Sequence, residues 1–107
     1  MTRLEDWPAR LSAVLAGAFE RPFSWEDHNC CLWVGECIEA TTGANPVAKW
    51  ANTCTNAREA QRILNRVFGG SLLTGWTKLL GAPVPVAMAG RGDVVIVEID
   101  GEQACGV

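Results

Sequence analysis

The chain has 107 residues, 49% of them apolar and 20% charged, a balance that suits one packed domain and excludes a disordered tail. Its net charge is −3 and its nine basic residues are scattered, which excludes the basic stripe that neutralises nucleic-acid phosphates. No apolar run approaches the ~20 residues of a membrane span, and Glu5, Asp6 and Arg10 interrupt the start where a signal peptide would be apolar, so synthesis in the cytoplasm without membrane insertion is expected.

Leu4, Trp7, Leu11, Val14, Leu15, Ala18 and Phe19 recur at steps of three and four and predict a first helix, capped by Asp6, begun by Pro8 and ended before Arg21-Pro22. Phe23 to Asn29 has no period and reads as an ordered loop. Cys30, Trp33, Val34, Cys37 and Ile38 share one face of a second helix over 30–42, with Asn29 as N-cap and Gly43 as stop. This helix is expected at the centre of the core, packed on a hairpin that begins at 94.

Asn45-Pro46 opens a short turn through Ala51, and Asn56 with Glu59 resembles a capping pair for a helix running to Gly69-Gly70. Ser71 caps a further helix that carries Leu72, Trp76, Leu79 and Leu80 and stops at Gly81. Ala82 to Pro85 is held extended by its prolines, and Gly90 to Asp93 is a turn in which Asp93 is a turn residue. Val94 to Ile99 predicts a strand, Asp100-Gly101 a hairpin turn, and Gln103 to Val107 the returning strand. The fold class is therefore α+β, one domain over 1–107 with helices packed on a small antiparallel sheet beginning at 94–107. An unpaired last strand is an edge. Either a partner covers it or further C-terminal strands lie outside this chain.

Five cysteines without an export signal favour free thiols over a disulfide framework. Cys30-Cys31-x5-Cys37 with His28 lacks the C-x2-C spacing of zinc sites, so neither a metal nor another cofactor is expected. Cys37, Cys54 and Cys105 read as small core hydrophobes. Cys30 differs, because the first turn of a helix favours thiolate. His28, the single histidine, is either a local base for Cys30 or a loop residue bonded to backbone, and the second reading is preferred. Trp25 and Trp33 are either walls of a binding cleft that includes Asn29 or ordinary core aromatics.

The segment Phe23-Ser24-Trp25-Glu26-Asp27-His28-Asn29-Cys30-Cys31-Leu32-Trp33 resembles the nucleophile segment F-x-W-G-x-x-D-C-x-x-F of small phage and prophage proteins related to the NlpC/P60 hydrolases, of the DUF6950 kind. Gly92-Asp93-Val94-Val95-Ile96-Val97 is similar to the strand entry G-D-V-V of the same family. The resemblance covers the chain from about Trp7 onward. It implies a papain-like fold, Cys30 as nucleophile at the start of the central helix, and peptidoglycan as substrate. The sequence departs from the motif in having Asn29 for aspartate and Glu26 for glycine. It also reads Ala104-Cys105-Gly106-Val107 where the hydrolases have approximately H-V-G-I, so that Ala104 occupies the expected histidine position.

The resemblance and its departures together imply a phage tail component in the virion, structural or accessory, with a degenerate active site and other tail proteins as partners. The alternative is a cysteine hydrolase cutting peptidoglycan, with Cys30 as nucleophile and His28 or a residue past Val107 as base. A third reading, a thiol-based redox or metal-binding domain, rests on cysteine number alone.

Overall fold

The computed structural model describes residues 2–107. Its element order is α1 (Trp7–Ala18), α2 (Cys30–Thr42), a 3₁₀ turn at Ala48–Trp50, α3 (Ala57–Arg66), α4 (Leu72–Leu80), a 3₁₀ turn at Val86–Met88, β1 (Val95–Ile99) and β2 (Glu102–Gly106). Among the described residues the architecture is α+β, four helices with one two-stranded antiparallel sheet.

Three of the helices start where a side chain takes over a backbone donor that the first turn leaves unpaired. Asn29 accepts from Leu32 N–H, Asn56 from Glu59 N–H and Ser71 from Thr74 N–H. The Glu59 carboxylate reaches back to Thr55, one residue before the cap, and accepts from its backbone N–H at 3.0 Å and from its hydroxyl. At α1 the expected cap is not made. The Asp6 carboxylate accepts from Arg10 at 2.8 Å instead, and Pro8 supplies the helical start. Helix α2 ends at Gly43, whose φ of +86° is the left-handed conformation that only glycine adopts without strain.

The hairpin has the I′ turn signature, with φ positive at both Asp100 (52°) and Gly101 (83°), a twist that matches the strands it joins. Its register pairs Ile96 with Cys105 and Val97 with Ala104. Side chains alternate along a strand, so Cys105 points to one face and Ala104 to the other. The inward face carries Ile96 and Cys105 onto α2 and α4, while Val95, Val97 and Ile99 are left exposed on the outward face.

The core gathers Val34 and Ile38 of α2, Leu72 and Trp76 of α4, Cys105 of β2, and Val47 and Phe68 from the connecting segments. Helix α2 is thus central, as its apolar face requires, and it meets the sheet through β2. Phe68 sits edge-on between Trp50 and Trp76, with ring centroids 5.9 and 6.0 Å away. Its ring occupies the space a side chain at Gly75 would need, so the absence of a Cβ there is what lets α4 close on the core. The residues before α1 fasten the far end. Arg3 pairs with Asp93 at 2.8 Å and stacks on Trp7, and Leu4 N–H donates to the Thr41 carbonyl at 2.7 Å. Asp93 also accepts from Gly90 N–H at 2.8 Å, which closes the turn expected of it.

Candidate functional site: three thiols at the start of α2

The loop Phe23–Asn29 is built before the helix it leads into. Ser24 and His28 exchange two backbone hydrogen bonds, 2.8 and 3.1 Å, forming an isolated antiparallel bridge. Phe23 packs edge-on against Trp25 with centroids 4.9 Å apart. The Asn29 side chain works in both directions. Its oxygen caps α2 and its Nδ2 donates to the Trp25 carbonyl at 3.2 Å. An aspartate could make the first bond but not the second, which is a physical reason for asparagine at this position.

Cys30 is therefore the first residue of α2, exposed, with its sulfur near the positive end of the helix. Cys31 follows it, half-buried. The third thiol comes from the other end of the chain: Cys105, buried on β2, stands 3.8 Å from the Cys31 sulfur. All three sulfurs lie within 4.8 Å of one another. Their acidities separate. The neighbouring thiol of Cys105, and then that of Cys31, favour the ionised form of Cys30 and hold it well below the ordinary thiol range. The same contacts hold protons on the partners: the bond to Cys30 pushes Cys105 up to about 12, and Cys31 is raised by its bonds to Cys105 and Cys30, with burial adding to both. Among the three sulfurs, Cys30 is thus the one whose ionisation its neighbours favour.

Two clefts open beside Cys30. The larger, ≈ 780 Å³, is lined by Trp25, Asn29, Cys30, Trp50, Leu64 and Phe68 among others, and is largely apolar. The smaller, ≈ 310 Å³, is lined by Arg21, Phe23, His28, Asn29, Cys30, Trp33 and Cys105. Trp25 is a cleft wall, 37% exposed. Trp33 is both wall and core, since it lines the smaller cleft while packing on the central cluster.

His28 shares the smaller cleft with Cys30 but is committed elsewhere. Its Nδ1 pairs with the Pro22 carbonyl at 3.0 Å, and among the described residues it makes no hydrogen bond to Cys30. Ala104, the position expected to carry a histidine, lies on the outward face of β2 by strand alternation, and the residue that meets Cys30 from that strand is Cys105. The reading of Cys105 as a core hydrophobe is correct for its burial and incomplete for its chemistry. The expectation of no metal-ligating set considered spacing within 28–37 alone, whereas the tertiary fold brings the third sulfur from 74 residues away. Cys37 and Cys54 are buried apart from this cluster, and burial, with Glu36 nearby, pushes the Cys37 thiol up to about 11.

No helix among the described residues is long and apolar enough to cross a membrane. Over residues 2–107 the chain matches a domain of unknown function, DUF6950, and it belongs to that family. No curated protein and no solved structure matches it.

Proposed function

We propose that this DUF6950 domain is a papain-like module of a phage tail, structural or accessory in role, in which the cysteine-hydrolase site is degenerate. The observation that carries the reading is the neighbourhood of the Cys30 sulfur: two thiols and no hydrogen-bonded imidazole. The papain-like part is supported by a cysteine opening a central helix that packs on an antiparallel hairpin, together with the likeness of Phe23–Trp33 and Gly92–Val97 to the NlpC/P60 motifs. The tail location and tail-protein partners rest on that likeness alone.

Peptide hydrolysis by a thiolate needs a second group to protonate the departing amine. Cys105 is a poor one, because a thiol pushed up to about 12 neither accepts a proton nor releases it near neutrality. Lack of an acid–base partner costs about 10²–10⁴-fold in rate. The competing reading, a hydrolase acting on peptidoglycan through Cys30 and His28, is favoured by the apolar cleft that opens beside an acidic Cys30.

Digestion of purified sacculi separates the two. The chain and its Cys30→Ala and His28→Ala variants are all expected to release no muropeptides. Release that depends on Cys30 would overturn the degenerate-site reading, and dependence on His28 as well would identify the base. Strand alternation adds a finer expectation: Cys105→His, not Ala104→His, sets an imidazole against Cys30. The tail assignment has its own check in mass spectrometry of purified phage particles that encode the chain, and its absence from their tails would refute it.

A further inference from the structure

We propose that Cys30, Cys31 and Cys105 form a three-thiolate site for a soft, thiol-preferring cation of the zinc type, leaving one coordination position open toward the smaller cleft. The inference needs only the three sulfurs and stands whether or not the tail reading does.

The geometry is the first argument. A tetrahedral zinc ion with Zn–S bonds of about 2.3 Å holds any two of its sulfurs about 3.8 Å apart. Cys31 and Cys105 are 3.8 Å apart with no ion between them, and Cys30 lies within 4.8 Å of both, so side-chain rotation of Cys30 completes a triangular face. The supporting elements are rigid. Two ligands sit on the first turn of a capped helix and the third on a paired strand in the core.

Burial is the second argument. Cys105 is buried, Cys31 half-buried and Cys30 exposed, so the cluster has a closed floor and one open side. The open side faces the cleft shared by His28 and Trp33, where a water molecule or an exogenous ligand has room to take the fourth position. A third observation concerns the floor. The Trp76 indole N–H is buried, finds no oxygen or nitrogen partner among the described residues, and faces the Cys105 sulfur, where it favours the thiolate. An N–H donor turned toward a sulfur is the kind of supporting contact that stabilises a metal-bound thiolate. Sulfur ligands select zinc, copper(I) and similar ions over magnesium or calcium. On binding, each sulfur that carries a proton loses it to solvent and forms one bond to the ion.

The test is titration of the reduced, metal-free chain with Co(II), followed by displacement with Zn(II). One cobalt per chain is expected, with tetrahedral d–d bands and a sulfur-to-cobalt charge-transfer absorption of three-thiolate intensity that zinc abolishes. Cys30→Ala, at an exposed position that leaves the core intact, and Cys105→Ala are each expected to weaken binding by more than the roughly 10–100-fold that losing an outer-shell partner costs. Cys54→Ala is expected to leave the affinity unchanged. Circular dichroism of each variant separates lost ligation from lost folding. Absence of the charge-transfer band in the folded, reduced chain would overturn the proposal. So would its persistence in folded Cys30→Ala, or isolation of Cys31 and Cys105 as a disulfide that reduction does not convert to a cobalt-binding form.

Discussion

Asn29 joins the loop to the helix that presents Cys30, and replacing it with alanine removes two specific bonds. The cap to Leu32 N–H, 3.2 Å, is one, and caps of this kind stabilise by about 0.5–2 kcal/mol. The Nδ2 bond to the Trp25 carbonyl, also 3.2 Å, is the other, at about 0.5–1.5 kcal/mol for a half-exposed neutral pair. The contact to the Ser24 carbonyl, 3.5 Å, is too long to count. Asn29→Ala should therefore lose about 1–3.5 kcal/mol. In a domain of this size that lowers the Tm by about 4–8 °C for each kcal/mol, read by circular dichroism. Asn29→Asp isolates the halves of the argument. It keeps the acceptor, adds about 0.3–1 kcal/mol from a negative charge at a helix N-terminus, and loses only the donor, so a net change below about 1 kcal/mol is expected. An aspartate variant as unstable as the alanine variant, or an alanine variant that melts with the parent, would show that Asn29 does not organise this junction.

Cys30 is expected to react with iodoacetamide faster than Cys37 or Cys54 in the metal-free chain. Its rate should stay nearly flat between about pH 6 and 9, because a thiol held below the usual range is already ionised there, whereas an ordinary thiol gains rate up to about pH 8.5. A rate that climbs about tenfold per pH unit would mean an ordinary thiol. Gly75→Ala drives a methyl group into the Phe68 ring, which Trp50 and Trp76 hold on both sides, and should cost about 1–3 kcal/mol in urea unfolding. An unchanged midpoint would show that the ring can move aside.

Much of the fold is legible in local chemistry. Asn29 and Gly43 bracket α2 at its observed ends, Ser71 and Gly81 do so for α4, and Asp100-Gly101 locates the hairpin. These signals work because each acts within three or four residues. Where a side chain has a second suitor the local reading fails. Asp6 turns to Arg10, whereas Asn56 caps α3 as read and only the return bond shifts, the Glu59 carboxylate going to Thr55. The 3₁₀ turn at Val86–Met88 has no capping signal to announce it beyond Pro85.

The candidate site divides in the same way. Cys30 is visible from its cap, but its partners are not, since Cys31 carries no mark of its own and Cys105 is linked to it only through the packing of β2 on α2. Placing the histidine position at Ala104 follows from aligning four letters. Which of two adjacent strand residues faces inward depends on register, and that is fixed by the hairpin turn and the Ile96–Cys105 pairing.

The meeting of Cys31 and Cys105 also bears on the denatured chain. Any bond that bridges them, through a metal or directly, closes a loop spanning 74 positions. By the loop-closure relation, holding such a loop shut withdraws about 4–5 kcal/mol of disorder from the unfolded ensemble. That approaches the whole stability of a small domain, about 5–15 kcal/mol. A clasp here would therefore fasten the last strand to the central helix and raise the folded fraction, making the occupant of one small sulfur cluster a determinant of the stability of the entire fold.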